Sequence, residues 1–378
     1  MPQSKVVQQV VPVVEPPVER LEPTPAPEPK KKKRRAPPRP RREEREPLQP
    51  RDLKTVLDDA LARMQRRAAG QEKPIPLPWS GLSEALGGGF WGGTTATLVG
   101  DTGCGKTQWA LQVALGAAAG GVPVCYVSSE PGVDQVAPRL LAMKAGQKWS
   151  DLYVGRTDAA AFDAIRAAHT ESLKTLPFHL LAGTASRPGE PGSRRVARWM
   201  RGRYPQKGPG QRPLLIVQDF VELVTGGRDQ EEFNDTMGRV AQEARQAAHD
   251  HDVALLIVSS TSREQRLNDE DSIGIHHERR QSRGLGRGNP ARLLLTGKNA
   301  GDMERESDTV LVLAHDPEQR AEVEAPWKRV WCAVAKNRAG GRAWCALRFN
   351  GTQFQEDVEV TRTLPLEPCD LDAASDED

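Results

Sequence analysis

The chain reads as an α/β protein, a mostly parallel sheet flanked by helices, and three features of the sequence predict this. A glycine-rich run, Gly100–Thr107, follows one apolar segment and opens a helical one. Thr94–Val99, Gly100–Lys106, Thr107–Ala119 and Pro123–Ser128 therefore read as strand, loop, helix and strand, a βαβ unit. Further short apolar runs follow at Pro213–Val217, Ala254–Val258, Thr309–Ala314 and Arg329–Ala335, with helical stretches between several of them. Continuous rather than alternating apolar runs are the mark of strands buried on both faces, as in parallel sheets.

The elements follow in order along the 378 residues. Residues 1–50 are dominated by Pro, Glu, Lys and Arg and lack the apolar surface that would offset the entropy of ordering, so a disordered, Pro-rich basic tail is expected. Lys30–Arg45 holds ten Lys or Arg against Glu43 and Glu44, while Glu367–Asp378 is acidic, so a formal net charge of +2 hides a strong asymmetry. The basic run suits nucleic-acid contact, an import-type address or plain solvation. In residues 51–70, Asp52 can cap a helix in which Leu53, Val56, Leu57, Leu61 and Met64 recur at three- and four-residue spacing. That stripe belongs either against its own domain or, in a linker helix, against a neighbouring subunit. Residues 71–362 make the folded domain, and 363–378 an acidic tail.

The five cysteines are odd in number, widely spaced and form no C-x-x-C pair, so neither a disulfide framework nor a zinc site is indicated. No apolar run approaches the ~18 residues that span a bilayer, and the first thirty residues lack the apolar stretch of a secretory signal. A soluble, cytoplasmic protein without a membrane partner is expected.

The chemistry is carried by a few short runs. Gly100, Asp101, Thr102, Gly103, Cys104, Gly105, Lys106 and Thr107 fit G-x-x-x-x-G-K-[ST] in the strand-to-helix context that the motif requires. The glycines let consecutive backbone N–H groups curl around phosphates, and the helix N-terminus adds its positive end. Lys106 meets the β- and γ-phosphates, and Thr107 binds Mg²⁺. ATP and Mg²⁺ are the expected cofactors, and Cys104 reads as a small loop residue. Val124–Ser129 runs into Glu130, expected at the carboxyl edge of the strand beside the phosphate-loop strand. A carboxylate there polarises the attacking water or merely caps the next helix. Pro213–Val217 ends in Gln218 and Asp219, the form of a Walker B strand whose carboxylate holds the metal through water. Ala254–Val258 leads into Ser259–Arg263, either a sensor of the γ-phosphate or an ordinary polar loop. Residues 262–292 are rich in Arg and Gly, a composition that follows a phosphate backbone or forms a solvated insertion.

Taken together, these pieces resemble the C-terminal motor domain of the DnaB-type replicative helicases, a RecA-like group of P-loop NTPases, over approximately residues 70–356. Ile75–Leu82 is similar to the family's lead-in, and Gly87–Gly93 to its glycine turn. Ser128-Ser129-Glu130, with Gln135, Arg139, Leu140, Leu141 and Gly146, is similar to S-L-E-M…Q…R-L-L…G. Asp219–Val224 resembles D-Y-L-Q-L, and Ser259–Arg263 resembles S-Q-L-x-R. Lys298, Gly301, Glu304 and Asp308 fall on R-x-x-G-x-x-E-x-x-x-D, and Lys336, Arg338 and Gly340 on K-x-R-x-G.

The resemblance implies Glu130 as the catalytic carboxylate and Lys336 and Arg338 as cationic fingers supplied to a neighbouring subunit's site. It also implies single-stranded DNA held near Lys298 and Asn299 and a homo-hexamer working with replication or recombination proteins, while the Arg/Gly composition of 262–292 adds Arg287 and Arg292 as candidate contacts. Ser260 and Glu222 stand where the family has Gln, and the Arg/Gly stretch between Arg263 and Leu293 is longer than the family's. The family's helical N-terminal domain has no counterpart in residues 1–50. A ring-forming, ATP-driven DNA helicase is the leading expectation. A recombination mediator or regulatory ATPase that does not unwind, and a nucleotide-stabilised scaffold that does not hydrolyse ATP, are the alternatives.

Overall fold

The structure is a computed structural model, and it describes residues 50–100, 103–129, 132–183, 192–205, 213–219, 230–259, 305–316 and 327–362, the backbone alone for 230–238. The elements below all belong to the unit formed by residues 53–378. In order they are α1 (Leu53–Ala68), α2 (Ser80–Ala85), β1 (Thr95–Gly100), α3 (Lys106–Ala119), β2 (Val124–Ser128) and α4 (Val133–Ala145). Then come α5 (Trp149–Tyr153), α6 (Ala159–Ala167), β3 (Phe178–Ala182), α7 (Ser193–Arg203), β4 (Leu215–Asp219) and α8 (Gln230–His251). The unit ends with β5 (Ala254–Val258), β6 (Thr309–His315), β7 (Lys328–Asn337), β8 (Ala343–Phe349), β9 (Phe354–Glu356) and α9 (Val358–Arg362).

The strands form one sheet in the order β3-β2-β4-β5-β1-β6-β7-β8-β9. The six from β3 to β6 are parallel, and β7 to β9 extend the sheet antiparallel. The expectation that β2 lies beside β1 is therefore wrong, because β4 and β5 stand between them. Burial separates half-exposed β3, at the edge, from β1, β2, β4 and β5, whose residues are all buried, but it does not order those four among themselves. A βαβ pattern shows that two strands are parallel, not how many positions lie between them.

Helices cover both faces of the parallel half. On one face α3 packs through Trp109, Ala110, Leu111, Val113 and Ala114 onto Leu98, Leu256, Leu311 and Leu313. Lys106 and Thr107 are buried with them, so α3 is enclosed on nearly all sides and shows little amphipathic contrast. On the other face α7 and α8 pack Val196, Met200, Ala244 and Ala248 against Ile216, Leu255 and Ile257. Farther along that face, Trp331 and Trp344 meet edge to face with ring centres 6.4 Å apart.

Of the two packings open to helix α1, the apolar stripe does not take the one against its own domain. The helix is held through its polar side, where Arg63 donates to Glu72, to the Gly92 carbonyl and to Asp252 at 2.8–3.0 Å, and Arg67 lies 4.3 Å over the Trp91 ring. Its apolar stripe of Leu53, Val56, Leu57, Leu61 and Met64 faces away and is exposed. Among the described residues no helix is long and apolar enough to cross a membrane.

Candidate functional site

The interior position of β1 sends its carboxyl end, at Gly100, straight into the loop that opens α3. Gly103 and Gly105 both have φ +88°, a left-handed conformation that glycine tolerates. At Gly105 a Cβ would lie 2.9 Å from the rings of Phe349 and Phe354, which stack 4.3 Å apart beneath the loop. Gln112 fastens α3 to the same place, exchanging two hydrogen bonds with the Phe354 backbone at 2.7–2.8 Å. Gly105 is thus backed from below by residues of the distant strands β8 and β9.

Lys106 is 4 % exposed, and its ammonium donates to the Gly100 carbonyl at 2.7 Å, folding the side chain over the loop. Thr107 reaches the other way, with its hydroxyl 3.4 Å from Asp219 Oδ1 at the end of β4. The opposite carboxylate oxygen of Asp219 accepts a 2.6 Å hydrogen bond from the Tyr126 hydroxyl on β2. Burial pushes the Asp219 carboxyl up to about 7, and the hydrogen bonds from Tyr126 and Thr107, with the charges of Lys106 and Arg139, offset that only in part. The same burial, reinforced by the Asp219 charge, drives the Tyr126 phenol well above its usual value. Arg139 of α4 stacks over the Trp149 ring at 4.9 Å, and desolvation lowers its pKa although Asp219 favours its charge.

These residues fit a magnesium nucleotide. A hydroxyl and a buried carboxylate converge at the mouth of a glycine loop, the hard oxygen donors that Mg²⁺ prefers. Both amide atoms of Gln108, in the first turn of α3, are buried with no hydrogen-bond partner among the described residues. Buried polar groups are rarely left so, and a bound ligand is one way to satisfy them. Among the described residues no cluster of three or more His, Cys, Asp or Glu is placed to hold a metal, and Thr107 and Asp219 are the candidate pair by their own geometry.

The predicted residues fall into three groups. Gly100, Gly103, Cys104, Gly105, Lys106, Thr107 and Asp219 come together at the carboxyl edge of β1 and β4, with Cys104 fully buried as part of the core. Lys336 and Arg338 come together elsewhere. Asn337 pairs with Thr309, and Thr309 pairs with Ala96, so both cations lie at the amino edge of the sheet, about 13 Å along β1 from Gly100. There Lys336 donates to the Arg305 carbonyl at 3.3 Å, and Arg338 to the same carbonyl and to Asp308, both at 3.1 Å. Asp101, Thr102, Glu130, Arg287, Arg292, Lys298 and Asn299 lie outside the described residues, as do Glu222, Ser260 and Arg263. Just before Glu130, Ser129 donates its N–H to the Asp219 carbonyl at 2.8 Å, so the end of β2 adjoins β4, not β1.

Sequence reasoning passed over Tyr126, Gln108, Phe349 and Phe354. The one local signal was polarity out of place: a phenol within an apolar strand and an amide, one of two, within a mostly apolar helix.

Residues 80–356 match the family model described as the DnaB-like helicase C terminal domain. Among solved structures, the chain is similar to the "ATPase Domain of G40P", with TM-score 0.61, 17% identity, and coverage of 81% of this chain and 99% of that one. It is also similar to a DnaB-like replicative helicase described with its interactions with primase, with TM-score 0.60, 18% identity, and coverage of 81% of this chain and 67% of that one. At those identities the likeness shows a shared fold. Comparison with proteins of curated function returned no match.

Proposed function

The chain belongs to the DnaB-like helicase C-terminal domain family, and from that premise we propose that it is an ATP-hydrolysing, ring-forming motor that moves on single-stranded DNA. The observation that carries the reading is the buried convergence of Lys106, Thr107 and Asp219 where β1 meets α3. The glycine loop from Gly100 and Lys106 would hold the phosphates, and Thr107 and Asp219 would hold Mg²⁺, which when bound neutralises charge on the β- and γ-phosphates. Glu130 would take the proton of the attacking water.

Two features support a site shared between subunits. Lys336 and Arg338 sit at the edge of the sheet away from their own phosphate loop, so they are placed to serve a neighbour's. Helix α1 is anchored by its charged side and presents its apolar side outward. An apolar groove of about 220 Å³, lined by Leu115, Leu140, Leu141, Leu176, Phe178 and Leu180, suits the α1 stripe of a second copy. Repeated head to tail, that contact builds a ring when its rotation closes, and a homo-hexamer is the ring we propose. Lys298, Asn299, Arg287 and Arg292 would face the strand in the channel, and replication or recombination proteins would be the further partners.

Lys106→Ala tests the site. Turnover of ATP should fall to background with and without single-stranded DNA, and unchanged ATPase would sink the assignment. Ser260, where the family has Gln, favours a second reading, a DNA-stimulated ATPase that does not unwind. A forked duplex separates the two, because strand release requires the motor reading.

A further inference from the structure

Both cations assigned to the neighbour's site are gripped by one short turn, Arg305–Asp308, and that turn is fastened to the rest of the domain at every residue after the first. Glu306 accepts from Arg245 of α8 at 3.0 Å. Ser307, 1 % exposed, shares a 2.5 Å hydrogen bond with Thr97. Asp308 Oδ2 accepts from the Thr95 N–H at 2.9 Å and from its hydroxyl at 3.2 Å, and the Asp308 N–H donates to the Thr95 carbonyl at 2.9 Å. The Asp308 carbonyl accepts the Arg338 N–H at 2.9 Å, and its remaining carboxylate oxygen takes the Arg338 guanidinium at 3.1 Å. Arg305 contributes its carbonyl, which accepts from both Lys336 and Arg338.

We infer that the Arg305–Asp308 turn is a clamp that sets the trans cations in place, with Asp308 as the positioning residue for Arg338. The inference rests on the reading of Lys336 and Arg338 as fingers for a neighbouring site. An exposed ion pair contributes little to stability, so stability alone is a weak reason for so many bonds on one carboxylate. Geometry is a better one. A long side chain fixed before it meets its target loses less freedom on arrival. Two of the five N–H donors of Arg338 are used on the turn, and the side chain keeps 42 % exposure for the rest. Thr95, the anchor of Asp308, begins the strand that ends at Gly100 in the chain's own phosphate loop. The clamp therefore ties the cations given to one nucleotide site to the strand that carries the next, a rigid link between neighbouring sites around a ring.

Asp308→Asn tests this, measured in the full-length protein. ATP turnover should fall roughly tenfold to a hundredfold, the scale expected for a catalytic group moved by about 1 Å. Affinity for a fluorescent ATP analogue should stay within about twofold, because the chain's own phosphate loop is untouched. Added to Arg338→Ala, Asp308→Asn should cost nothing further, whereas a general packing defect would add to the loss. Mixing Asp308→Asn subunits with Lys106→Ala subunits should restore turnover, since the second supply intact fingers to the intact loops of the first. Arg338→Ala mixed with Lys106→Ala is the control for the underlying reading. If that mixture stays inactive, the trans assignment fails and the clamp with it. If it recovers while the Asp308→Asn mixture does not, or if Asp308→Asn alone turns over normally, the clamp is wrong and the fingers stand.

Discussion

Asp219 is a carboxylate shut away from water at the end of β4, and its chemistry is set by that burial. Its carboxyl is raised to about 7, chiefly by desolvation, against an ordinary value of 3.8. Between those values the folded protein keeps a proton that the unfolded chain has lost. Metal-free protein should therefore lose stability as pH rises towards 7 and change little from this group above it. Asp219→Asn is neutral at all pH, so in the presence of a chelator it should melt above wild type at pH 8, by roughly 5 °C or more. The gap should close towards pH 5. Equal melting temperatures at pH 8 would show that the carboxylate is better solvated than its surroundings suggest. Lys106, Thr107 and Asp219 were legible in the sequence because each sits in a run whose chemistry is local. Tyr126 was not, because its partner lies 93 positions away and only the β2–β4 register makes them meet.

The phosphate loop and α3 work as one element, and its shape is imposed from outside the motif. Gly105 has φ +88° and backs onto Phe349 and Phe354, so Gly105→Ala meets both a left-handed backbone and two aromatic rings at 2.9 Å. The substitution should destabilise the fold by about 1–3 kcal/mol in urea titration and weaken binding of a fluorescent ATP analogue. Undiminished binding would mean that the rings move aside freely. The motif alone gives Gly105 as a position expected to admit phosphate. That the same glycine also admits two phenyl rings follows from β8 and β9, neither of which stood out as a strand. Helix α1 has a similar history. The spacing of Leu53, Val56, Leu57, Leu61 and Met64 shows an apolar face, but ion pairs from Arg63 to Glu72 and Asp252 decide that this face points outward.

In the molecule as a whole, that outward face and the distance of Lys336 and Arg338 from Gly100 are the features that the proposed assembly would use. Leu57 and Leu61 are 57% and 56% exposed, so Leu57→Glu combined with Leu61→Glu should leave the subunit's unfolding free energy within about 0.5 kcal/mol of wild type. Mass photometry with ATP and single-stranded DNA should show the large assembly lost in the double variant. An unchanged mass distribution would place the subunit contact elsewhere. The sequence was enough for the fold class and the family, and it named Lys106, Thr107 and Asp219 as candidates, because each depends on residue types at short and fixed spacing. Strand order, the Tyr126–Asp219 contact, the rings under Gly105 and the grip of Asp308 on Arg338 had to wait for the folded chain. Each is a meeting of residues far apart in sequence, settled by how the runs pair and pack in one sheet, and that involves the whole chain at once.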